Sequence, residues 1–359
     1  MLKRILVPLD GSACAERAIP LAARIVRASG GMLILLRVVG SAIEMWPSPF
    51  PPLPSAAVQT MIEVGRTEAT NYLETVARSN HLEDIEVTNE VLSGPVASTI
   101  LSAVRSCQVD FIIISSRSTG SSRWGLGSVA EKVTRHSPVP VLVLPGRESG
   151  NVPVDAHHPL RALVPLDGSP LAEAVLAPAS LLISALAAPT QGALHIALVM
   201  KLPPAAGRGS DRKPMDTGMR ASLQREARIY VCAVADRWRK DSLAAHLLVT
   251  WSVLFDEDVA DALIRLAENG ESVEHESVLS GSGCDLIVMT THGRGGEQPW
   301  TMGSVTARVL GATRLPLLIV QPPKSGGSSQ RGAMHYQEGV SQMGTAEQEP
   351  QRMKLRHQI

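Results

Sequence analysis

The chain has 359 residues, room for two domains of about 150 residues each with ordinary hydrophobic cores, and its 34 basic and 34 acidic residues cancel to a formal net charge of zero. That balance argues against a protein whose main task is to neutralise a nucleic-acid backbone or coat an anionic membrane. Hydrophobic residues make up 44% and aromatic residues 3%, so the cores are aliphatic and few rings are available to stack on bases.

From the N-terminus, the run 4–9 leads into Asp10-Gly11-Ser12, reaching Pro8 and Asp10 too soon for a signal-peptide core. Residues 13–27 are Ala-rich with helical spacing, 31–39 form a second apolar run, and 56–78 a long helical pattern. Next come an alternating strand at 85–92, an amphipathic helix at 95–105, a buried strand at 110–115, a helix at 129–136 and a last strand at 139–144. The Pro-rich stretch 46–54 reads as a stiff loop, and 146–158 has linker composition. The same series then returns at 162–166, 172–185, 193–200, 221–238, 247–254, 259–268, 285–290, 305–312 and 317–320. Insertions at 203–216 and 271–283 read as surface loops, and 323–359 has too little apolar content to fold alone. No unbroken apolar stretch approaches the roughly 18 residues of a membrane span. Cys14, Cys107, Cys232 and Cys284 lie far apart without CxxC spacing, which reads as reduced structural thiols and excludes a zinc or redox pair. The cytoplasm is the expected address.

The repetition extends to wording. ILVPLDGS at 5–12 is matched by ALVPLDGS at 162–169, with Asp10 and Asp167 157 residues apart. Gly127-Ser128-Val129 matches Gly303-Ser304-Val305 at an offset of 176, as do Trp124 and Trp300. Short β-branched runs bounded by helices require a parallel sheet covered on both faces. The expected architecture is α/β: two tandem, open, twisted, five-stranded parallel sheets, Rossmann-like, paired as an intramolecular pseudo-dimer. The boundaries expected are 1–145, a linker at 146–159, 160–322, and a disordered tail at 323–359.

In such sheets ligands settle at the carboxyl ends of the strands, at the switch point of strand order. The second copy offers Asp167 after its first strand, Val199 and Met200 at the end of the second, and Met289-Thr-Thr-His-Gly-Arg-Gly-Gly296 after the fourth, followed by Gly303-Ser304 opening a helix. Glycines let backbone N–H groups approach an anion, and a helix N-terminus adds oriented donors. The expected guest is a phosphorylated nucleotide.

On VPLDGS (twice), TTHGRGG, GSVAEKV with HSPVPVLVLP, and GSVTARV with LPLLIVQP, the chain resembles the universal stress protein family, specifically its tandem members. The ATP-binding branch carries Gly-x2-Gly-x9-Gly-Ser/Thr, which falls on Thr290, Gly293, Gly303 and Ser304, three positions of four matching. The resemblance implies that Asp167 and the backbone near Val199 address the adenosine, that Met289 lines the base pocket, and that Gly293, Gly303, Ser304 and Val305 hold the phosphates; Pro165, Thr290, His292 and Arg294 complete the set. His292 either touches a phosphate or is merely exposed, and no catalytic residue is assigned.

In the first copy the same alignment sets Ile114 and Arg117 where glycines would stand. The weaker second site is therefore Asp10, Val38, Arg117, Gly127 and Ser128, with Arg117 either blocking it or reaching a phosphate as a cation. Ser128-x-x-Glu131 further reads as a capping box. The resulting expectation is an ATP-binding stress-response or regulatory module whose second copy holds the nucleotide and whose first is mainly scaffold. Whether magnesium accompanies ATP is left open, hydrolysis is at most slow, and no Walker-type lysine is present. The family's last strand mediates dimerisation, so the tandem chain is expected to pair its own two, with a further homodimer and an unidentified regulatory protein as partners. The alternatives are a nucleotide-free interaction protein with degenerate pockets and an adenylating enzyme of a related fold.

Overall fold

Strand order is what positions the site. The computed structural model describes residues 2–40, 55–116, 126–146, 159–202, 217–270, 283–292 and 302–321. The first half runs β1 (Arg4–Leu9), α1 (Ala13–Glu16), α2 (Ala18–Ser29), β2 (Met32–Val39), α3 (Ser55–Ser79), β3 (Glu86–Ser93), α4 (Val96–Ser106), β4 (Phe111–Ser115), α5 (Ser128–His136) and β5 (Val141–Leu144). The second half repeats it as β6 (Arg161–Leu166), α6 (Pro170–Glu173), α7 (Leu176–Ala187), β7 (Gly192–Lys201), α8 (Thr217–Arg239), β8 (Leu247–Asp256), α9 (Val259–Asn269), β9 (Leu286–Thr290), α10 (Ser304–Ala312) and β10 (Leu317–Val320). The expected linker, the two inserted loops, the Pro-rich stretch, Trp124, Trp300 and the tail lie outside the described residues, apart from a few positions at their margins.

The strands form one ten-stranded sheet in the order β3-β2-β1-β4-β5-β10-β9-β6-β7-β8. Within each half all neighbours are parallel. The halves meet where β5 and β10 pair antiparallel, Leu317 against Val143 and Ile319 against Val141. The expected two five-stranded units and their internal pairing are thus both present. Because that junction is antiparallel, the carboxyl ends of the two halves point to opposite edges of the sheet.

Alternation along each strand sorts its side chains into two apolar layers. Ile5, Val7, Leu33, Leu35, Phe111 and Ile113 belong to one layer, Leu6, Ile34, Leu36, Ile112 and Ile114 to the other, and each layer continues into the second half. On the first of these faces α2 and α7 pack against each other across the junction. That contact explains why α7 is apolar nearly all round, with Leu176, Ala179, Leu182, Ile183 and Leu186 all buried. Residues 170–187 carry enough hydropathy to cross a membrane, yet half of that window is buried inside the protein.

The helix expected at 13–27 is broken after Glu16, and its second-half counterpart after Glu173. The cause is a proline in each, Pro20 and Pro178. A proline has no N–H to give the carbonyl four residues back, and its ring clashes there, so it settles only in a first turn. A new helix accordingly begins just before each one.

One buried polar group stands out in these layers. His195 on β7 is fully buried, with Nδ1 2.9 Å from Thr250 Oγ1 and Nε2 2.8 Å from Ser252 Oγ. Its first-half counterpart by strand register is Ile34. Burial, with a smaller push from the Arg161 charge, lowers the imidazole to about 4. The folded protein therefore binds this proton less readily than the unfolded chain, whose histidine titrates near 6.5. The contribution is whole above pH 6.5 and shrinks as pH falls toward 4, by about 2–3 kcal/mol at pH 4.5. Urea denaturation at pH 7 and pH 4.5 should show His195→Ile losing less stability between the two than the parent chain does. An equal loss would remove His195 from this account.

Candidate functional site

The repeated Asp-Gly-Ser is built as a turn. Asp10 Oδ1 accepts from the Ser12 amide (3.0 Å) and hydroxyl, and Ser12 Oγ accepts in turn from the Ala15 amide (3.2 Å), capping α1. Asp167, Ser169 and Ala172 repeat the relay at 2.9, 2.6 and 3.2 Å. The residue between must turn left-handed, and Gly11 and Gly168 do so at φ 82° and 84°. The motif thus accounts for itself structurally: it ends a strand and starts a helix.

Behind each turn hangs a second matched pair. Tyr72 donates to Glu16 (2.8 Å) and Tyr230 to Glu173 (2.9 Å). Burial and the adjoining carboxylate raise both phenols well above their usual range, so both remain donors.

In the first half these pieces wall a cleft of about 800 Å³. It lies between the carboxyl ends of β1 (Pro8, Leu9 and the following Asp10), β2 (Leu36, Arg37, Val38) and β4 (Ile114, Ser115), and it is flanked by Val96 and Ile100 of α4 and by Gly127, Ser128 and Glu131 at the start of α5. This is the switch point of the 3-2-1-4-5 order, and the volume lies within the range of small-molecule sites. Asp10, Val38, Gly127 and Ser128 of the weaker expected site all line it, while Arg117 lies outside the described residues.

Two readings of this half change. Gly127 is the cap of α5 and makes no side-chain cap bond, Ser128 is already helical, and Glu131 turns instead to Arg135 at 2.9 Å. The capping box is absent, and the first amides of α5 have no intrahelical acceptor.

The alignment of the fourth strands also moves by one residue. Phe111 and Leu286 pair with equivalent positions on β1 and β6, and Ser116 N donates to Leu144 O as Thr291 N does to Val320 O. Ser115, not Ile114, therefore stands opposite Thr290, and Arg117 opposite His292. The first half carries a hydroxyl where a bulky apolar chain was expected, and Ser115 Oγ is buried without a hydrogen-bond partner among the described residues.

In the second half, Asp167 follows β6 immediately beside Val199 of β7, and Pro165 lies on β6 opposite Ala197. Met289 and Thr290 end β9, both buried, and Gly303 caps α10 ahead of Ser304 and Val305. Gly293 and Arg294 lie outside the described residues. Thr290 Oγ1 donates to His292 O (2.8 Å), Gly303 N to Thr291 O (2.7 Å), and Thr306 Oγ1 to Thr290 O (2.9 Å). The Gly303 amide is thus committed inside the protein, leaving the amides of Ser304, Val305 and Thr306 as the helix's donors to a guest. His292 is half-buried, its Nδ1 3.0 Å from Thr291 Oγ1, and burial lowers its imidazole below the ordinary value. It is neutral at pH 7 and offers a ligand no formal charge.

Arg37, Ser115 and Thr306 were not found from sequence. Asp110 and Asp285 held the missing signal: each carboxylate accepts from backbone amides at the start of the first strand of its half, Lys3 and Arg4 or Arg161. They lie 175 apart, not 176. Among the described residues no group of three or more His, Cys, Asp or Glu is placed to hold a metal. The Cys284 thiol is pushed up to about 12, chiefly by burial, and is inert.

Comparison with known proteins places the chain in a family. The profile of the universal stress protein family matches residues 1–145 and again 160–321. The chain belongs to that family and carries two of its domains in tandem. A universal stress protein of Mycolicibacterium smegmatis is 24% identical over 326 residues, covering 89% of this chain and 97% of that one. A universal stress protein structure from Archaeoglobus fulgidus covers 89% of this chain and 99% of its own at TM-score 0.59 and 19% identity, a likeness of fold. A family member from Arabidopsis thaliana, solved with AMP bound, aligns with 43% of this chain and 97% of its own at 17% identity and TM-score 0.29.

Thr306 gives a test of how β9 is tied to α10. Its first-half counterpart is Ala130, so the bond to Thr290 O belongs to the second half alone. Thr306→Val should cost about 1–2 kcal/mol, because a buried carbonyl loses its donor. Chemical denaturation measures this, and unchanged stability would show the bond to be dispensable.

Proposed function

We propose that the chain is an adenine-nucleotide-binding regulatory protein of the stress response, with one cleft per half at the carboxyl edge of its sheet. The observation that carries the reading is the first-half cleft of about 800 Å³, in which the Asp10 turn, the end of β2 and the first turn of α5 converge on one space. A helix start with unsatisfied amides suits a phosphate, and the apolar Val38, Val96 and Ile100 suit a base. In the second half Asp167, Val199, Met289, Thr290, Ser304 and Val305 hold the corresponding places, and ATP is the proposed occupant. The first half thus serves as a site in its own right, beyond the scaffold role its sequence suggested. Occupancy would change the surface offered to a protein partner beside β9 and α10.

Gly303 gives the experiment. Its φ of −56° suits any residue, but a Cβ there would stand 3.2 Å from the Thr291 carbonyl oxygen. Gly303→Val should therefore displace the start of α10 from β9 with little change in melting temperature. Equilibrium titration with a fluorescent ATP analogue should show affinity at the second-half site falling about tenfold or more, equivalent to about 1.4 kcal/mol. Unchanged affinity in a folded variant would exclude this helix start from the site.

A further inference from the structure

Arg37 belongs to none of the repeated motifs, yet it lines the first cleft. By register it sits opposite Leu9 as Leu198 sits opposite Leu166, so the two halves differ here by a full charge. Its guanidinium is held in place: Nη1 donates to Leu9 O at 3.2 Å, the group lies 5.6 Å from the centre of the Tyr72 ring, and Tyr72 is itself fixed by Glu16. One carbonyl and one ring face use only part of its fork of donors.

The acids lining the cleft are engaged elsewhere, Asp10 with Ser12 and Glu131 with Arg135. Among the described residues no carboxylate pairs with Arg37. A fixed cation with donors to spare in a cleft is a place for an anion, distinct from the one offered by the start of α5. Arg37 is on β2 and α5 follows β4, and these two strands flank β1 with about 10 Å between them. In dinucleotide-binding doubly wound sheets the end of the second strand is where the ribose is addressed, and an arginine nearby accommodates the phosphate on its 2′-oxygen, the neighbour of the 3′-oxygen.

We infer that the first cleft takes an adenine nucleotide with phosphates on two sides of the ribose, of the adenosine 3′,5′-bisphosphate kind, its 5′-phosphate at the first turn of α5 and its ribose phosphate on Arg37. The second cleft, with Leu198 in that place, does not make this distinction. The inference rests on the nucleotide reading above and adds to it the ligand class of one half.

Calorimetric titration of the full chain with adenosine 3′,5′-bisphosphate and with AMP tests it. The parent chain should bind the bisphosphate at one site about tenfold or more tightly than AMP, as a charge-assisted pair to guanidinium implies. Arg37→Leu should remove that preference while AMP affinity stays within about threefold, and Arg37→Lys, which keeps the charge without the fork, should retain part of it. An arginine that merely braced Tyr72 would weaken both ligands alike in Arg37→Leu. No preference in the parent chain, a preference that survives Arg37→Leu, or an equal loss for both ligands would overturn the inference and leave the nucleotide reading standing. Failure of the parent chain to bind AMP, ATP and the bisphosphate would overturn both.

Discussion

The pairing of β5 with β10 is the constraint on which the rest of the molecule depends. Both strands are four residues long, VLVL and LLIV, and buried at every position. Neither could stand as an open edge, because unpaired N–H and C=O groups beside a continuous apolar strip invite association. Pairing them antiparallel satisfies both backbones and joins the apolar layers of the two halves. Packing of α2 on α7 closes one face over the seam.

The direction of that pairing has functional consequences. It sends the two sets of strand ends to opposite edges of the sheet, so the two candidate sites lie at opposite ends of the strands. It also lets α5 and α10 each end near the other half. Helix α5 starts at the first cleft, and its Arg135 carbonyl accepts from Gln321, one residue beyond β10. Val320, just before, holds the Thr291 amide beside the second candidate site. Reciprocally, the end of α10 around Leu310–Leu315 borders a small space of about 170 Å³ with Ser116, Pro145 and Gly146 at the end of the first half.

Much of this was legible in the sequence because the relevant signals are short-range. Continuous apolar runs, the alternating segment at 85–92 and helical spacing gave ten strands and their helices, and the repeated Asp-Gly-Ser fixed the duplication. What was misread was partly local, as with a proline inside an apolar pattern, and partly a matter of neighbours distant in sequence. A helix broken by Pro20 looks continuous when only apolar spacing is followed. The one-residue shift between Ser115 and Thr290 is invisible if the copies are aligned from Gly127 and Gly303 backwards, since the length difference lies in the connecting segment. Arg37 reads as an unremarked charge at a strand end until the fold sets it in the first cleft, against Leu9 and Tyr72. The site is in this sense less legible than the fold, since it is assembled from the ends of elements, where propensity says least.

The two halves share turn, cap and tyrosine–glutamate pair, but differ at the candidate sites: Arg37 against Leu198, Ser115 against Thr290, Ala130 against Thr306. Duplication kept the frame and let its contents diverge. The central claim is that this frame holds a nucleotide at the strand ends of each half. Native mass spectrometry of the purified full chain with added ATP tests it most directly. The account predicts discrete adducts of one and then two nucleotides per chain; a chain that keeps its unliganded mass as ATP is raised to millimolar concentration would contradict it.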